Sequence, residues 1–289
     1  MLLTMCLALL VSAGPVTGDV KVAATTPPES AGSRRRGVAF NDAGMVSHFA
    51  VKDGQMGWCY NWDSYSADTH TSFEYIPMLW GNGGGSTSKW WDAVNHAAGV
   101  IKDNPTHLLG FNEPDNCAPG AGGSCISVKD AVTAWKQHME PAKALKDKMY
   151  LGSPAVTNGI NGMGLDWLRS FISACQGCNI DFICIHWYDQ ATNVQYFKDH
   201  VNAARAVAAG RPIWITELGP QGSDYDIKNF LNEVIPWMDK SSDIHRYAYF
   251  MAREGLLINA QGTDMSDIGR HYTYWRTSGS GFTTAPYLT

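Results

Sequence analysis

The feature that most constrains the fold of this 289-residue chain is a regular alternation of two kinds of segment. Short apolar runs rich in β-branched and aromatic residues are separated by longer stretches with the periodicity of amphipathic helices. We predict eight strands, at 37–40, 57–60, 73–80, 107–111, 149–156, 180–188, 212–216 and 247–251. Strands that alternate with helices form parallel βα units, and eight such units close into a barrel. The sequence therefore predicts a single α/β domain with the (β/α)8 TIM-type barrel fold.

An open doubly wound sheet is the competing architecture for the same alternation. Its dinucleotide-binding form carries a GxGxxG turn after the first strand, whereas the glycine-rich segment 81–86 follows the third strand and lacks that spacing. The composition, 45% apolar and 17% charged, supplies enough material for a large core. The barrel is therefore favoured over the open sheet.

The N-terminal region is predicted to lie outside the folded domain. Residues 1–18 contain an apolar run followed by small residues, which is typical of a signal peptide, although no basic residue precedes the run and a buried helix is the alternative. Residues 19–36 are polar and end in three arginines, which indicates a disordered linker or propeptide. The arginines are either a processing site before Gly37 or a solvated charge run. We expect a secreted or cell-wall protein whose folded domain spans 37–289.

Charge and motifs exclude several classes of function. The net charge of −5 leaves no basic surplus for nucleic acid, and no apolar stretch after the leader is long enough to cross a membrane. The motifs HExxH and GxSxG and a phosphate-binding loop are all missing from the sequence, which gives metalloprotease, serine hydrolase and nucleotide functions no support. We expect a monomer without metal or cofactor, and without a nucleic-acid or membrane partner.

Six cysteines remain after the leader, an even number that suits a secreted chain. Their connectivity does not follow from sequence alone, since six cysteines allow 15 pairings. The short spacings favour two local disulfides, 117–125 and 175–178, because the CxxC at 175–178 lacks a second ligand pair for zinc. Cys59 and Cys184 lie in strand-like runs and are expected to be buried free thiols.

Two glutamates stand where predicted strands end, and in a barrel the chemistry lies at that face. Glu113 follows the fourth strand and Glu217 follows the seventh. Period-two alternation places Glu113 on one strand face with Leu109 and Phe111, and it places Glu217 with Ile213 and Ile215. Burying a carboxylate at the end of an apolar strand costs free energy, so such a residue is expected to have a bonding partner or a catalytic role. A convergent pair of carboxylates is what glycoside hydrolysis requires.

The sequence around these glutamates is similar to that of glycoside hydrolase family 128, the fungal "glycosyl hydrolase catalytic core" family. The motifs that carry the resemblance are GFNEPDN at 110–116, SPAVTN at 153–158, IDFICIHWYD at 180–189 and PIWITELG at 212–219. The resemblance extends from about Gly37 to Trp275. It implies a secreted endo-β-1,3-glucanase that acts on β-glucan by a retaining mechanism, with Glu113 as the acid/base and Glu217 as the nucleophile.

Further residues are predicted to bind substrate. Asn112 stands beside the acid and is expected to bond the sugar 2-hydroxyl, while His186 and Tyr188 end strand six on a shared face. The aromatic residues near strands two and three that could stack on sugar rings are Trp58, Tyr60, Trp62 and Trp80. A β-1,4-glycanase of the mannanase kind and a non-hydrolytic cell-wall glucan-binding protein remain alternatives, because a carboxylate pair does not choose a linkage.

Other chemistry-bearing residues are assigned structural roles. Glu74 lies early in strand three and is expected to be a structural partner, and Asp115 and Asp189 are expected to stabilise loops. Trp187 lies on the other face of strand six and is expected to be a packing residue, and the pair 90–91 is expected to pack a helix onto the barrel.

Overall fold

A computed structural model describes residues 35–100, 106–145 and 149–275 of the chain. The predicted signal peptide and nearly all of the predicted linker lie outside these residues. The strands are β1 Arg36–Phe40, β2 Met56–Tyr60, β3 Glu74–Tyr75, β4 Thr106–Leu108, β5 Met149–Leu151, β6 Ile183–Gln190, β7 Ile213–Gln221 and β8 Ile244–Ala252.

The strands close into a ring. Six of them form one parallel sheet in the order β3-β2-β1-β8-β7-β6, and β4 pairs with β5. Isolated parallel bridges join the two sheets, at Met78–Leu109 on one side and at Gly152–Phe182 and Val156–Ile185 on the other. The (β/α)8 barrel prediction is confirmed, although β3 to β5 are shorter than the sequence suggested.

Helices cover the outside of this ring. They are α1 Gly84–Thr87, α2 Trp90–Val100, α3 Val128–Ala134, α4 Glu140–Leu145, α5 Gly164–Ala174, α6 Val194–Ala208, α7 Asp224–Lys240 and α8 Asp267–Tyr274. A π-helical turn, Trp135–Met139, joins α3 to α4, and the short 3-10 helix Ala43–Phe49 stands after β1 in place of a full helix. None of these helices in the described ranges is long and apolar enough to span a membrane.

Capping and amphipathicity explain where the helices form. The hydroxyls of Ser127, Ser223 and Ser266 accept backbone N–H bonds at the starts of α3, α7 and α8. In α7 the buried positions recur every three or four residues and face the barrel: Ile227, Phe230, Leu231, Val234, Ile235 and Met238.

The barrel interior is filled by its own aromatic cluster. Phe182 stacks on Trp214 with ring centroids 4.2 Å apart, and Trp58 packs against Trp214 at 5.4 Å. Glu74 is tied to His107 at 3.0 Å and to Arg246 at 2.6 Å, so its predicted structural role agrees with the contacts.

The two arginines before Gly37 are bonded to the barrel. β1 begins at Arg36, which is 4% exposed and whose side chain donates to the Tyr247 hydroxyl and the Tyr272 carbonyl. The Arg35 guanidinium bonds carbonyls at the end of α7, including that of Ser241 at 3.0 Å. A chain that started at Gly37 would therefore lack a buried cation.

The cysteine predictions are confirmed. Disulfides join Cys117 to Cys125 and Cys175 to Cys178, and Cys59 and Cys184 are buried free thiols. The first disulfide closes the loop that carries Gly122, whose carbonyl accepts from the Asn112 side chain at 3.0 Å.

Candidate active site

A one-residue bulge in β7 directs Glu217 into the barrel mouth. Ile185 of β6 pairs with Ile215, but the next residue, His186, pairs with Glu217, so Thr216 is the extra residue. Ile213 and Ile215 pack in the layer between strands and helices, whereas Trp214 belongs to the interior. The prediction that Glu217 shares a face with the two isoleucines was wrong, because the bulge shifts the alternation by one residue.

Glu113 reaches the same mouth by a different route. Its φ of +40° lies in the left-handed region, a conformation that costs a non-glycine residue on the order of 1–3 kcal/mol. Its N–H donates to the Ala155 carbonyl at 2.8 Å, and its own carbonyl accepts from Asn116 at 3.0 Å. Leu109 lies in the interior and the Phe111 ring packs against Trp135 of the helical layer, so the predicted shared face is wrong here too. The turn, not strand alternation, aims the carboxylate.

The two carboxylates meet across His186. Its Nδ1 lies 2.9 Å from Glu113 Oε1 and 3.4 Å from Glu217 Oε2, and the His186 side chain is fully buried. One side-chain nitrogen or oxygen atom from each of the three residues lies within 4.8 Å of the other two. The structure thus brings together the two carboxylates that the sequence singled out.

Two further donors hold Glu217. Trp62 Nε1 donates to Oε1 at 2.7 Å, and the Tyr188 hydroxyl donates to Oε2. Burial and the charge of Glu217 raise the pKa of Tyr188 well above its usual range, which keeps this hydroxyl protonated as a donor. Gly219 permits the arrangement, since a Cβ there would lie 2.3 Å from the Tyr188 ring. Glu217 is therefore fixed as an oriented hydrogen-bond acceptor.

The environment of Glu113 couples it to His186. Burial by itself would raise the pKa of Glu113, but the hydrogen bond and charge of His186, together with Asn116 Nδ2 at 3.0 Å, hold that pKa below its usual value. Burial would likewise lower the pKa of His186, yet the charges of Glu217 and Glu113 raise it. The proton of this trio is thus favoured on the histidine, between the two carboxylates.

The trio also has a donor set that a divalent cation could take, one nitrogen and two carboxylate oxygens. Asn116, Trp62 and Tyr188 already donate to these carboxylates. That arrangement suits an ionised, hydrogen-bonded carboxylate pair rather than a metal centre.

The carboxylates open into a cleft of about 580 Å³. Trp62 and Trp80 stand along one side, and Thr157 and Asn158 lie at the β5 end. A second cavity of about 280 Å³ shares Trp62 and Trp80 and continues outward past the ion pair of Asp63 and Lys89. The two cavities therefore share the wall that Trp62 and Trp80 form.

Most predicted binding residues lie in this cleft. Asn112 lines it, and its Oδ1 is buried without a partner among the described residues. Trp62, Trp80 and Tyr188 line it as well. His186 lies directly beneath it, fully buried between the carboxylates.

Two predicted sugar platforms are not on the cleft surface. Trp58 is 1% exposed, and its Nε1 donates to the Arg35 carbonyl, so it belongs to the barrel interior and the prediction for it was wrong. Tyr60 is also fully buried, and its hydroxyl donates to the Thr216 carbonyl beneath Glu217. Tyr60 can support the bulge but cannot stack on a sugar.

Residues with assigned structural roles behave as predicted. The Asp115 carboxylate accepts from the N–H groups of Thr157 and Gly164, and Asp189 accepts from the Gln190 N–H. Trp187 stacks on Phe230 outside the barrel.

Sequence reasoning missed Phe250, Asn116 and Asn158, which all line the cleft. Phe250 meets the Trp62 ring edge-on at 5.6 Å and the Tyr188 ring at 5.4 Å. Phe250 lies near the end of the predicted eighth strand, which is where site residues are expected in a barrel. It was missed because only polar residues at strand ends were considered as site candidates. Asn116 ends the motif GFNEPDN and Asn158 ends the motif SPAVTN, so both are polar residues after predicted strands, as Asn112 is.

Comparisons with known proteins match most of the chain to one family. The family described as glycosyl hydrolase catalytic core matches residues 37–272. Alkali-sensitive linkage protein 1 of Schizosaccharomyces pombe is 31% identical over 259 residues, which are 83% of this chain and 44% of that protein. The chain thus spans less than half the length of this curated relative.

Solved structures with the same fold include a curdlan-specific exo-β-1,3-glucanase of glycoside hydrolase family 128 from Blastomyces gilchristii, in complex with glucose. It is 34% identical with a TM-score of 0.71, and the match covers 82% of this chain and 97% of that one. A variant of a family 128 endo-β-1,3-glucanase from Amycolatopsis mediterranei, in complex with laminaripentaose, is 25% identical with a TM-score of 0.60 and coverages of 83% and 98%.

Proposed function

The chain belongs to the glycosyl hydrolase catalytic core family, and on that premise we propose that it hydrolyses β-1,3-glucan by a retaining mechanism. Glu217 acts as the nucleophile and Glu113 as the acid/base. The observation that carries the proposal is the close approach of the two carboxylates, each with an oxygen inside the same 4.8 Å cluster. Retaining enzymes hold their carboxyl groups about 5–5.5 Å apart, whereas inverting enzymes need roughly 6.5–9.5 Å for a water molecule.

In the first step Glu217 attacks the anomeric carbon while the glycosidic bond breaks. Trp62 and Tyr188 occupy one lone pair on each oxygen of Glu217 and fix the carboxylate plane, so a remaining lone pair can point at the sugar. The bond that forms joins Glu217 to the sugar, and the leaving oxygen takes a proton from Glu113.

The proton that Glu113 delivers can come from His186. In this proposal His186 rests as the imidazolium, with Nδ1–H directed at Glu113 Oε1 at 2.9 Å, because the charges of the two carboxylates raise the pKa of the histidine. Transfer along this bond gives a protonated Glu113, a neutral His186 and an ionised Glu217, which is the protonation state that the first step needs. In the second step Glu113 takes a proton from a water that attacks the glycosyl-enzyme, and Glu217 is released.

Support for β-1,3-glucan as the substrate comes from the relatives. The Blastomyces and Amycolatopsis enzymes are described as β-1,3-glucanases, and the latter binds laminaripentaose. Apart from the two glutamates, the lining of the larger cleft is uncharged and suits a neutral sugar: aromatic rings at Trp62, Trp80 and Phe250, and side-chain amides at Asn112 and Asn158.

We further propose endo cleavage, as the sequence resemblance implies. The cavities are lined by Trp80 and Lys89, which follow β3, and by Asn158, which follows β5. Because β4 stands between β3 and β5, a glucan chain that contacts both segments would extend on both sides of Glu113, which follows β4. Two disulfides in the described chain support action in an oxidising compartment, as a secreted or cell-wall protein would require.

The proposal is tested by incubating the purified protein with laminarin, cellulose, mannan and xylan and by following product lengths over time. We expect turnover on laminarin alone, a range of oligosaccharides at early times, and retention of configuration in the first-formed product by NMR. Release of glucose alone would reject endo cleavage and leave an exo-β-1,3-glucanase. Turnover on mannan or cellulose would reject the linkage, an inverted product would remove the nucleophile role from Glu217, and binding without turnover would mean a glucan-binding protein.

A further inference from the structure

Two exposed apolar side chains stand on the rim where the cleft ends. Ile160 is 72% exposed in the loop after β5, and Tyr196 is 37% exposed in the first turn of α6. Single exposed apolar residues are common and need no explanation. These two, however, both follow strands at the face that carries Glu113 and Glu217, and both lie next to Asn158, which lines the cleft.

Tyr196 is held in a fixed position at this edge. Its hydroxyl bonds both the side chain and the backbone carbonyl of Asn158, at 3.0 and 3.2 Å. Its ring packs beside Trp187 and His200, with centroids 6.1 and 6.4 Å away. Asn158 is fixed in turn, because its side chain exchanges two hydrogen bonds with the Tyr188 backbone. The exposed part of the ring is therefore a rigid apolar surface that continues the cleft wall.

Ile160 is placed by an equally well-anchored turn. Gly159 N–H donates to the Thr157 hydroxyl, and Thr157 and Gly164 are both bonded to Asp115, two residues after Glu113. Asn161 and Gly162, with φ of +58° and +89°, turn the chain directly after Ile160. The turn presents the isoleucine to solvent although its own ends are fixed to the catalytic loop.

We propose that Tyr196 and Ile160 form an additional glucosyl-binding surface, outside the cleft, that holds a β-glucan chain beyond Asn158. This inference rests on the proposed function. The exposed Tyr196 ring is bonded to the cleft-lining Asn158, and the exposed aliphatic side chain of Ile160 lies two residues further along the same loop. Such apolar surfaces beside a side-chain amide match a neutral, hydroxyl-rich pyranose, whose C–H faces stack on rings and whose hydroxyls bond amides. The consequence is a preference for long chains over short oligosaccharides.

The test compares long and short substrates in three variants. Tyr196→Ala removes the ring, Ile160→Ser removes the aliphatic contact, and Tyr196→Phe keeps the ring while it loses the bonds to Asn158. Tyr225→Ala is the matched control, since Tyr225 stands in the first turn of the next helix, is 73% exposed and is not among the cleft-lining residues.

We expect Tyr196→Ala to lower kcat/KM on laminarin about 2- to 12-fold, the effect of one lost aromatic contact, with kcat/KM unchanged on the shortest laminarioligosaccharide that the wild type cleaves. Ile160→Ser should show the same length dependence with a smaller loss, and Tyr225→Ala should match the wild type on both substrates. Tyr196→Phe keeps the ring but loses its bonds to Asn158, so its loss on laminarin should be smaller than that of Tyr196→Ala. Thermal unfolding of each variant checks the fold, and Ile160→Ser decides the question if Tyr196→Ala does not fold.

Equal losses on long and short substrates would overturn the inference, since they would mean that Tyr196 only positions Asn158. Unchanged kcat/KM on laminarin in both Tyr196→Ala and Ile160→Ser would also overturn the inference, since it would mean that these two residues do not bind the glucan chain. A wild type without turnover on any β-1,3-glucan would instead reject the proposed function, and this surface with it.

Discussion

The Tyr188→Phe substitution isolates one hydrogen bond of the proposed nucleophile. The Tyr188 hydroxyl is the group that donates to Glu217 Oε2, and the ring itself is held by the edge of Phe250 and by the close approach of Gly219. Phenylalanine keeps the ring and removes the donor alone. The carboxylate should therefore stay in place but lose part of its electrostatic support.

The size of the effect follows from the remaining partners. A hydrogen bond to a charged group contributes about 1.5–3 kcal/mol, which corresponds to roughly 10- to 150-fold in rate. Glu217 keeps Trp62 Nε1 at 2.7 Å, and His186 Nδ1 lies 3.4 Å from the oxygen that loses its donor. Because His186 can move toward that oxygen, we expect the lower part of the range, a loss of about 10- to 30-fold in kcat/KM on laminarin.

The pH dependence gives a second readout. The lost donor stabilises the ionised carboxylate, so the acidic limb of the kcat/KM profile should move to higher pH in Tyr188→Phe. Tyr272→Phe is the matched control, since it also removes a buried hydroxyl, one that bonds the carbonyls of Gly37 and Tyr247 away from the carboxylates. The control should lower the unfolding temperature without moving the pH profile.

A Tyr188→Phe protein that keeps kcat/KM within about 2-fold of wild type, with an unchanged acidic limb, would refute this reasoning. It would mean that the hydroxyl bond to Glu217 is not part of the catalytic arrangement.

Three further predictions follow from the same site and from the barrel interior. Glu217→Ala should abolish turnover on every substrate, whereas Glu113→Ala should retain activity on an aryl glucoside with a good leaving group and should be rescued by azide; rescue of Glu217→Ala with the same anomer would contradict the roles. Trp58→Ala should cost about 3–5 kcal/mol in the free energy of unfolding, whereas Trp80→Ala should weaken laminarin binding with little loss of stability; the reverse pattern would return Trp58 to the cleft. Burial would raise the pKa of Glu74, but His107 and Arg246 lower it to about 2, so its contribution to stability is present above its usual pKa of about 4.5 and is lost as pH falls toward 2. Glu74→Gln should therefore destabilise the protein at neutral pH and converge with wild type near pH 2 in denaturant titrations, and a difference that does not depend on pH would contradict this.

The architecture and the two glutamates that the fold brings together could both be predicted from the sequence alone. Strand and helix periodicities are local properties, because the spacing of apolar residues decides which element can bury a face. The position of Glu113 and Glu217 at strand ends is equally local. The two disulfides join cysteines only eight and three residues apart, so their pairing could also be predicted from local spacing. These predictions needed no knowledge of how distant segments meet.

The direction in which individual side chains point depends on contacts that form in the folded barrel. A single extra residue, Thr216, reverses the alternation of β7, and the left-handed φ of Glu113 replaces strand geometry by a turn. The four aromatic residues near strands two and three looked alike in sequence, yet Trp58 lies in the interior and Trp62 bonds Glu217. Such differences depend on register and on depth within the barrel, which are set by contacts between residues far apart in the chain.

The same reason explains the arginines before Gly37. As a sequence they resembled a processing site or a solvated charge run, because three basic residues in a row favour solvent. In the fold Arg36 is buried against Tyr247, more than two hundred residues away, and Arg35 bonds carbonyls at the end of α7. His186 likewise joins two glutamates that the sequence separates by about a hundred residues. Pairings of this kind arise when the barrel closes, since closure brings the first and last strands together and turns eight strand ends toward one site.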